Sequence, residues 1–474
     1  MAASTPSTAQ PQRYDTLRVR SSARPFRGSA LPPGDKSLSH RALLFSAMAS
    51  GRSVITNLSE GSDVVATRRA LGALGVRIEA LGGPGFYAVE SRGVGDLREP
   101  SGVIDVGNSG TLIRLLSGLV AGVDGHTVLS GDASVNRRPM GRITAPLRTM
   151  GAAIDGRSGG ELAPLSIRGR ELRGIRYHTP VASAQIKSAI LLGGLQADGE
   201  TWVVEEVLTR RHTEEFLGMC GVSFEEVLAK DGTHSVGVSR PSLIRPFAVT
   251  VPVDPSQAAF WLVAAILADG SEVTVESCYS GSARVGFIEA LAEMGAEIEV
   301  TTISEAGDEE SAVVALRAGV ARSLPTASIS ARSSKLRALS VRGSRVSTMI
   351  DEIPILVVAA LFAEGRSVFS NLGELAVKES NRIESTVALA QAFGGDVEMH
   401  GDTITVHGST SFVPQATTVD ARGDHRIAMS GAILAAMVPG GAVTTISGFG
   451  SVATSYPGFL DDLSALTEVE VELL

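Results

Sequence analysis

The stretch LAEMGAEI at residues 291–298 decides the fold, because the same arrangement recurs along the chain. Each copy has the pattern of a helix end, a turn at a small residue and the start of a strand. Six copies are present, at residues 70–78, 147–154, 217–222, 291–298, 392–397 and, in a weaker form, 463–469. Such self-similarity is typical of repeat architectures. The first five copies carry a turn glycine, and a polar insertion at roughly residues 303–334 lengthens the interval before the fifth.

A second and more apolar helix recurs in register with the first. Its predicted copies cover residues 36–50, 109–121, 183–198, 255–269, 350–364 and 425–439. Each is followed by a short strand, and a helix that is apolar on all sides must be buried. Helices of the first type have a charged face, which includes Arg68 and Glu289. The sequence therefore predicts an α/β fold of six units, each strand–helix–strand–helix–strand–strand, divided into two lobes of three.

Composition limits the class of protein. The 474 residues are 44% hydrophobic and 20% charged, which is typical of a globular protein too long for one core. A net charge of −9 argues against a nucleic-acid partner held by bulk electrostatics. The longest apolar run, residues 258–268, is shorter than the ~20 residues of a membrane span, so no membrane partner is expected. Residues 1–16 are interpreted as a disordered tail.

Several kinds of site are not indicated. Cys220 and Cys278 lie among apolar neighbours and are interpreted as buried free thiols in a reducing cytoplasm. The histidines are scattered and no cysteine pair has ligand spacing, so no metal is expected. In a nucleotide phosphate loop, Gly, Lys and Ser follow one another directly. In the run from Gly34 to Ser37 an aspartate separates the glycine from the lysine, so the motif is broken. No Gly-x-Ser-x-Gly motif supports a hydrolase. We therefore expect chemistry without a cofactor.

The run GDKSLSHR at residues 34–41 begins the first buried helix. It places Lys36, Ser37, His40 and Arg41 in or near the first helical turn. Two cations there oppose the helix dipole, and they make sense if an anion binds in front of the helix. The simpler alternative is that Ser37 caps the helix and both cations are solvated.

The starts of the other helices carry similar groups, and their shared register predicts that they converge at one end of each lobe. These groups are Asn108–Thr111 with Arg114, Asn136–Arg138, Ser183, Gln185 and Lys187, Arg210–His212, Asp254 and Gln257, Asp351 and Glu352, Lys378–Arg382, and Asp424–Arg426. Asp254 and Asp424 are interpreted as helix caps, and single histidines as structural. As a set, these residues favour a site that grips two anions, with Lys36, Asp351 and Glu379 as candidates for proton transfer.

Eight motifs in these regions resemble those of the 5-enolpyruvylshikimate-3-phosphate synthase family. They are GDKSLSHR (34–41), GNSGT (107–111), SGDASVNRRPM (130–140), PVASAQIKSA (180–189), TRRHTE (209–214), DEIP (351–354), VKESNRI (377–383) and DHRIAM (424–429). The resemblance implies an inside-out α/β barrel of the enolpyruvyl transferase type, whose two lobes are joined by a double crossover and close on substrate. Repeats 1–3 would occupy residues 35–252, and repeats 4–6 residues 253–474 together with 17–34.

The implied reaction transfers the enolpyruvyl group of phosphoenolpyruvate to the 5-hydroxyl of shikimate 3-phosphate and releases phosphate, in a cytoplasmic monomer. By motif position, the residues that match the shikimate 3-phosphate site are Lys36, Ser37, Arg41, Ser183, Gln185, Arg210, Asp351 and Lys378. Those that match the phosphoenolpyruvate site are Lys36, Gly110, Arg138, Gln185, Arg382 and Arg426. Asp351 matches the base that takes the hydroxyl proton, and a dry cleft would raise the pKa of such a base. Lys36 and Glu379 match groups discussed for protonating the methylene carbon.

Two further expectations follow from the resemblance. Thr454 and Ser455 stand where many members carry a lysine, so that phosphoenolpyruvate contact is not matched. Glyphosate competes with phosphoenolpyruvate in this family, and Gly110 lets the backbone approach a ligand closely. We expect glyphosate to inhibit, and Gly110→Ala to weaken glyphosate more than the shorter phosphoenolpyruvate.

Three alternatives are weighed against this interpretation. The related transferase acting on UDP-N-acetylglucosamine uses a loop cysteine, and neither Cys220 nor Cys278 lies in a glycine-rich loop near a cation cluster. A six-repeat ring around DNA needs basic inner helices, whereas these are apolar. A protein that only binds anions would leave the carboxylates of Asp351 and Glu379 beside the cations without a purpose.

Overall fold

Twelve helices of eight or more residues lie in the part of the chain that the computed structural model describes, residues 15–21, 23–281, 283–304 and 324–474. They are α1 (Lys36–Met48), α2 (Ser62–Ala73), α3 (Gly110–Val120), α4 (Gly141–Thr149), α5 (Ala184–Gly194), α6 (His212–Met219), α7 (Pro255–Leu267), α8 (Gly286–Glu293), α9 (Ile353–Leu361), α10 (Arg382–Ala392), α11 (His425–Ala436) and α12 (Phe459–Leu466). The odd-numbered helices are the predicted apolar type, and every residue of α9 and α11 is buried. None of the helices in these ranges is both long and apolar enough to cross a membrane.

Within the described residues, the strands form six sheets of four strands each. In chain order they are β1 (Thr16–Ser21), β2 (Arg27–Ala30), β3 (Ser50–Thr56), β4 (Arg77–Ala80), β5 (Tyr87–Arg92), β6 (Ile104–Asp105), β7 (His126–Ser130), β8 (Ala153–Gly156), β9 (Leu162–Arg168), β10 (Arg176–His178), β11 (Thr201–Glu205), β12 (Phe224–Leu228), β13 (His234–Val238), β14 (Ala248–Thr250), β15 (Glu272–Tyr279), β16 (Glu297–Ser304), β17 (Thr326–Arg332), β18 (Ser340–Val341), β19 (Gly365–Phe369), β20 (Val397–His400), β21 (Thr403–Gly408), β22 (Thr418–Asp420), β23 (Val443–Ser447) and β24 (Val469–Leu473). The prediction of six repeated α/β units is confirmed.

Three of the sheets consist of strands that follow one another in the chain, with the orders β6-β7-β9-β8, β10-β11-β13-β12 and β18-β19-β21-β20. Each of the other three borrows one strand from elsewhere. Strand β14 completes the first sheet by pairing parallel with β3, and β2 completes the fourth by pairing parallel with β15. In the sixth sheet, β1 lies between β23 and β24 and is antiparallel to both.

The borrowed strands require the chain to cross between two halves twice. The two crossover segments lie side by side, because Gly34 pairs with Val253 and the N–H of Asp35 donates to the carbonyl of Pro252 at 2.7 Å. Two hydrophobic cores lie on either side of this point. One is formed mainly by residues 38–251, which we call the first lobe, and the other by residues 17–30 with 258–466, the second lobe.

The turn glycines of the first five repeats all have a positive φ, between +69° at Gly221 and +107° at Gly151, as glycine alone readily allows. The predicted insertion at 303–334 was too long. Residues 297–304 and 326–332 are the paired strands β16 and β17, and only 305–323 lie outside the described residues. Of the predicted tail, residues 1–14 also lie outside them, whereas Thr16 already belongs to β1.

Candidate active site

A cavity of about 520 Å³ lies between the lobes, at the N-termini of α1, α3 and α5 on one side and of α9, α10 and α11 on the other. The convergence that the shared register predicts is therefore present. The predicted site residues on its wall are Lys36, Ser37, Gly110, Arg138, Ser183, Gln185, Arg210, Asp351, Lys378, Glu379, Arg382 and Arg426.

The start of α1 shows how cations come to lie at a helix N-terminus. Asp35 is the cap, since its carboxylate accepts the N–H of Leu38 at 2.8 Å, so the alternative in which Ser37 caps the helix is wrong. Lys36 and Ser37 follow directly, and the ammonium of Lys36 donates to Asp63 Oδ2 at 2.9 Å. The capping carboxylate supplies the negative charge that the helix end favours. The side chains beyond it can then be cationic.

Arg41 does not line the cavity. Its guanidinium is buried and donates to Thr213 Oγ1 at 3.0 Å, to Ser188 Oγ at 2.5 Å and to the carbonyl of Ser37 at 3.0 Å. The resemblance had placed Arg41 among the groups that contact shikimate 3-phosphate. In the structure it instead joins α1 to α5 and α6, one turn behind Ser37.

The first-lobe wall contains an arginine that the motif comparison did not assign to a ligand. Arg114 lies one turn beyond Gly110 in α3, and its Nη1 donates to Gln185 Oε1 at 2.5 Å. Gln185 in turn donates to Thr111 Oγ1 at 2.9 Å. The sequence grouped Arg114 with Asn108–Thr111, and the i, i+4 spacing of Gly110 and Arg114 places both on one helix face, on the cavity wall.

Gly110 lies against Arg138. A Cβ built at position 110 would be 2.5 Å from Arg138 Nη1, so an added methyl meets this guanidinium before any ligand. The expectation that Gly110→Ala weakens glyphosate more than phosphoenolpyruvate therefore omitted a neighbouring side chain. Arg138 is itself held by Ser134 Oγ at 3.0 Å and lies 3.5 Å from a carboxylate oxygen of Glu379.

Asp351 is surrounded by cations from both lobes. Its carboxylate lies 2.7 Å from Arg210, 3.0 Å from Arg382, 3.5 Å from Lys378 and 3.9 Å from Arg426. Burial alone would raise the pKa of Asp351, but these four cations hold it well below its ordinary value. The expectation that a dry cleft raises this pKa is therefore wrong for the cleft as it stands, because the cations outweigh the desolvation.

Glu379 is another carboxylate on the cavity wall. It pairs with Arg382 at 2.5 Å and with Arg138 at 3.5 Å. Burial raises the pKa of Glu379, whereas Arg382, Arg138 and Lys36 lower it, and the net pKa lies well below the ordinary value. An ionised Glu379 carries no proton to donate at neutral pH.

The two lobes contact each other through ion pairs along the cleft. Arg210 of the first lobe reaches Asp351 of the second, and Arg142 donates to Glu374 Oε2 at 2.7 Å. At the same time, Nε and Nη1 of the buried Arg426 make no hydrogen bond to any described residue. Nε still faces a carboxylate oxygen of Asp351 at 3.9 Å, which is beyond hydrogen-bond distance.

His425 also lines the cavity, although the sequence alone favoured a structural role. Burial lowers the pKa of His425, and Lys36 and Arg426 lower it further, so the imidazole is neutral at pH 7. By contrast, Thr454 lies outside the cavity wall. It packs on the first lobe, where a Cβ at Gly61 would be 2.6 Å from its carbonyl oxygen.

A buried ion network lies behind the loop that carries Arg210. Lys187 Nζ lies 2.7 Å from Glu214 and 2.9 Å from Glu205. His234 contacts Glu205 at 3.3 Å and Glu226 at 2.8 Å. Lys187 is fully buried and so does not face the cavity, although the sequence placed it with the site residues.

Both cysteines are buried free thiols, as expected, and burial raises the pKa of each. Because they are largely protonated at neutral pH, neither is activated as a nucleophile. The alternative transferase needs a reactive loop cysteine, and neither of these two thiols meets that requirement.

Two lobes of three α/β units with a cation-lined cleft between them define an enzyme of the enolpyruvyl transferase class. The family model for EPSP synthase (3-phosphoshikimate 1-carboxyvinyltransferase) matches residues 22–463. The chain belongs to the EPSP synthase family.

Individual relatives agree with this assignment over nearly the whole chain. The 3-phosphoshikimate 1-carboxyvinyltransferase of Geobacillus kaustophilus is 43% identical over 93% of this chain and 98% of its own. That of Gluconobacter oxydans is 42% identical over 95% of this chain and 97% of its own. Among solved structures, an EPSP synthase from Acinetobacter baumannii covers 97% of this chain and 100% of its own with a TM-score of 0.81 and 34% identity.

Proposed function

We propose that the cleft binds phosphoenolpyruvate and shikimate 3-phosphate together and transfers the enolpyruvyl group to the 5-hydroxyl, with release of phosphate. The observation that carries this proposal is the set of cations from both lobes around two ionised carboxylates. Shikimate 3-phosphate would contact Ser37, Ser183, Gln185, Arg210 and Lys378. Phosphoenolpyruvate would contact Gly110, Arg138, Gln185, Arg382 and Arg426.

Asp351 would take the proton of the 5-hydroxyl while the hydroxyl oxygen forms its bond to C2 of phosphoenolpyruvate. Its low pKa makes it a weak base until the substrates bind. Once their phosphate and carboxylate groups pair with Arg210, Lys378 and Arg426, those cations lower the pKa of Asp351 less. Its basicity would then rise furthest when both substrates are present, which limits side reactions.

Lys36 is the better candidate for the proton added to the methylene carbon of phosphoenolpyruvate. An ammonium carries protons at neutral pH, whereas Glu379 is ionised and has none to give. When the bond between C2 and the phosphate oxygen breaks, phosphate would leave with the proton that Asp351 took from the hydroxyl. The neutral amine of Lys36 would take back a proton from the methyl group as the enol ether forms, which returns both residues to their starting states. Glu379 would then orient Arg138 and Arg382, its two ion-pair partners.

The protein would act as a cytoplasmic monomer. Both walls of the cleft come from one chain, so a second copy is not needed to complete the site. Two free thiols fit a reducing compartment.

Phosphate release from phosphoenolpyruvate, measured with and without shikimate 3-phosphate, tests this function. We expect release only with both substrates. Lys36→Met should lower kcat by orders of magnitude, whereas Glu379→Gln should keep more of it, because only the first change removes the proton donor. Exposed Arg332, which pairs with Glu272 on the surface, provides the control Arg332→Gln. Binding of both ligands without phosphate release would contradict the proposal and favour a protein that only binds anions.

A further inference from the structure

Arg284 is a buried arginine that sequence reasoning did not single out. It lies just before α8, is 2% exposed, and contacts three carboxylates at once. Its Nη2 is 2.8 Å from Asp254 Oδ1 and 3.4 Å from Asp35 Oδ2, and its Nη1 is 2.9 Å from Glu352 Oε1. Nothing in its neighbouring sequence signals this, because the three partners are distant in the chain.

The three carboxylates sit at the two crossover segments and beside the candidate base. Asp35 caps α1, and Asp254 caps α7 by accepting the N–H of Ser256 at 2.8 Å. Asp254 also accepts the backbone N–H of Lys36 at 3.2 Å. Glu352 directly follows Asp351 in the chain.

Through these partners, one guanidinium is linked to the backbone on both sides of the cleft. Asp35 and Asp254 hold the segment from which Lys36 extends, and Glu352 holds the segment that carries Asp351. Lys36 belongs to the first lobe and Asp351 to the second. Their separation therefore depends on how firmly Arg284 joins the two segments.

The charges of the cluster make Arg284 necessary for this geometry. Asp35, Asp254 and Glu352 are each at most 3% exposed. Buried anions without a partner are costly, and removing one partner of a buried pair is far more disruptive than at the surface. Without the guanidinium, Asp35 and Asp254 would repel each other across the two crossover segments. A lysine has one point charge and cannot bridge three carboxylates in this planar arrangement.

We propose that Arg284 is a positioning residue for the transfer reaction, which sets the proton donor Lys36 and the base Asp351 at their working separation. This inference rests on the proposed function. Arg284 acts through its carboxylate partners, so its loss should affect the reacting geometry more than the binding of shikimate 3-phosphate. A displacement of ~1 Å between reacting groups can cost about 100-fold in rate.

The test compares Arg284→Gln, Arg284→Lys and Glu352→Gln with Arg332→Gln, a control at an exposed arginine–glutamate pair. For each variant, kcat and the KM of both substrates are measured by phosphate release, and the Kd of shikimate 3-phosphate by calorimetry. Thermal melting reports the folded fraction. We expect kcat to fall at least tenfold in Arg284→Gln, less in Arg284→Lys, with the Kd within threefold of the parent value and Arg332→Gln unchanged.

The outcomes distinguish a failure of the proposed function from a failure of the positioning role. A parent protein that releases no phosphate with both substrates refutes the proposed function. If the parent protein is active and Arg284→Gln is fully active as well, only the positioning role is refuted. A loss of kcat that merely matches the loss of folded protein refutes it too. If Arg284→Gln does not fold, Glu352→Gln decides, since it keeps the shape of the cluster while weakening one of the three links. A kcat unchanged in that variant overturns the inference.

Discussion

A methyl group at position 110 would act on substrate through Arg138. In Gly110→Ala the new Cβ would lie 2.5 Å from Arg138 Nη1, about 1 Å inside the ~3.5 Å of an ordinary contact. Arg138 is 7% exposed and is held by Ser134 and Glu379, so its guanidinium has little room to move without losing a contact. The displaced guanidinium should no longer meet the anionic group of phosphoenolpyruvate at hydrogen-bond distance.

The size of the effect follows from that lost contact. A hydrogen bond to a charged group contributes roughly 1.5–3 kcal/mol, which corresponds to about 10- to 150-fold in affinity. We therefore expect the KM of phosphoenolpyruvate to rise by about this factor and the inhibition constant of glyphosate to rise at least as much. The KM of shikimate 3-phosphate should change little, because Arg138 is not among its proposed contacts.

The assay is steady-state phosphate release with each substrate varied, and with glyphosate as competitor. Gly72→Ala in α2 is the matched control, since a Cβ there meets no atom within 4 Å. A double-mutant cycle with Arg138→Ala tests the route of the effect, because neighbours that act through one contact are not additive. An unchanged KM for phosphoenolpyruvate, or full additivity with Arg138→Ala, would refute the reasoning.

Three further outcomes are expected. Asp351→Asn should lower kcat severely, while calorimetry shows that shikimate 3-phosphate still binds. Without the carboxylate charge, the surrounding cations remain free to pair with anions. Equal losses of affinity and rate would instead show that Asp351 is a binding group. Burial lowers the pKa of His234, but its hydrogen bonds to two glutamates raise it more, so its contribution to stability is present below about pH 6.5 and is lost as the pH rises through the raised pKa. Urea unfolding should then show that His234→Gln lowers the free energy of unfolding more at about pH 6 than at about pH 9; a cost independent of pH contradicts the assignment. Glu374→Gln removes the pair with Arg142 across the cleft, and small-angle scattering should show a more open protein; identical curves would mean that this pair does not hold the lobes together.

Sequence reasoning found most of the fold because repetition supplies six independent samples of one pattern. The buried helices were located to within three residues at their starts, since apolar periodicity and capping residues are local signals. The strand partners were different. Nothing local shows that β14 joins the first sheet or that β1 enters the sixth, because pairing depends on where the crossovers bring the chain.

The site residues were found because their motifs are dense, but their relations were not. The pKa of Asp351 could not be judged without knowing that four cations surround it. Arg41 carried the right motif position and yet turns toward Ser188 and Thr213, behind the cavity. Arg284 was missed for the opposite reason: its surroundings in sequence are ordinary, and only the fold brings three carboxylates to it.

The position of β1 between β23 and β24 has a consequence for synthesis on the ribosome. This strand emerges first, but both of its partners emerge last, whereas the first lobe is complete once β14 has left the exit tunnel. Meanwhile β1 has both edges unpaired. Arg18 and Arg20, which later pair with glutamates of β24, place charge on one face of β1 and oppose pairing with other chains.

We therefore expect nascent chains stalled near residue 290 to contain a protease-resistant first lobe and an unprotected β1. In chains released without residues 469–474, β1 should remain exposed along one edge, and the second lobe should be the part that aggregates. If residues 15–21 resist protease before β24 has been synthesised, β1 must pair with a different partner first.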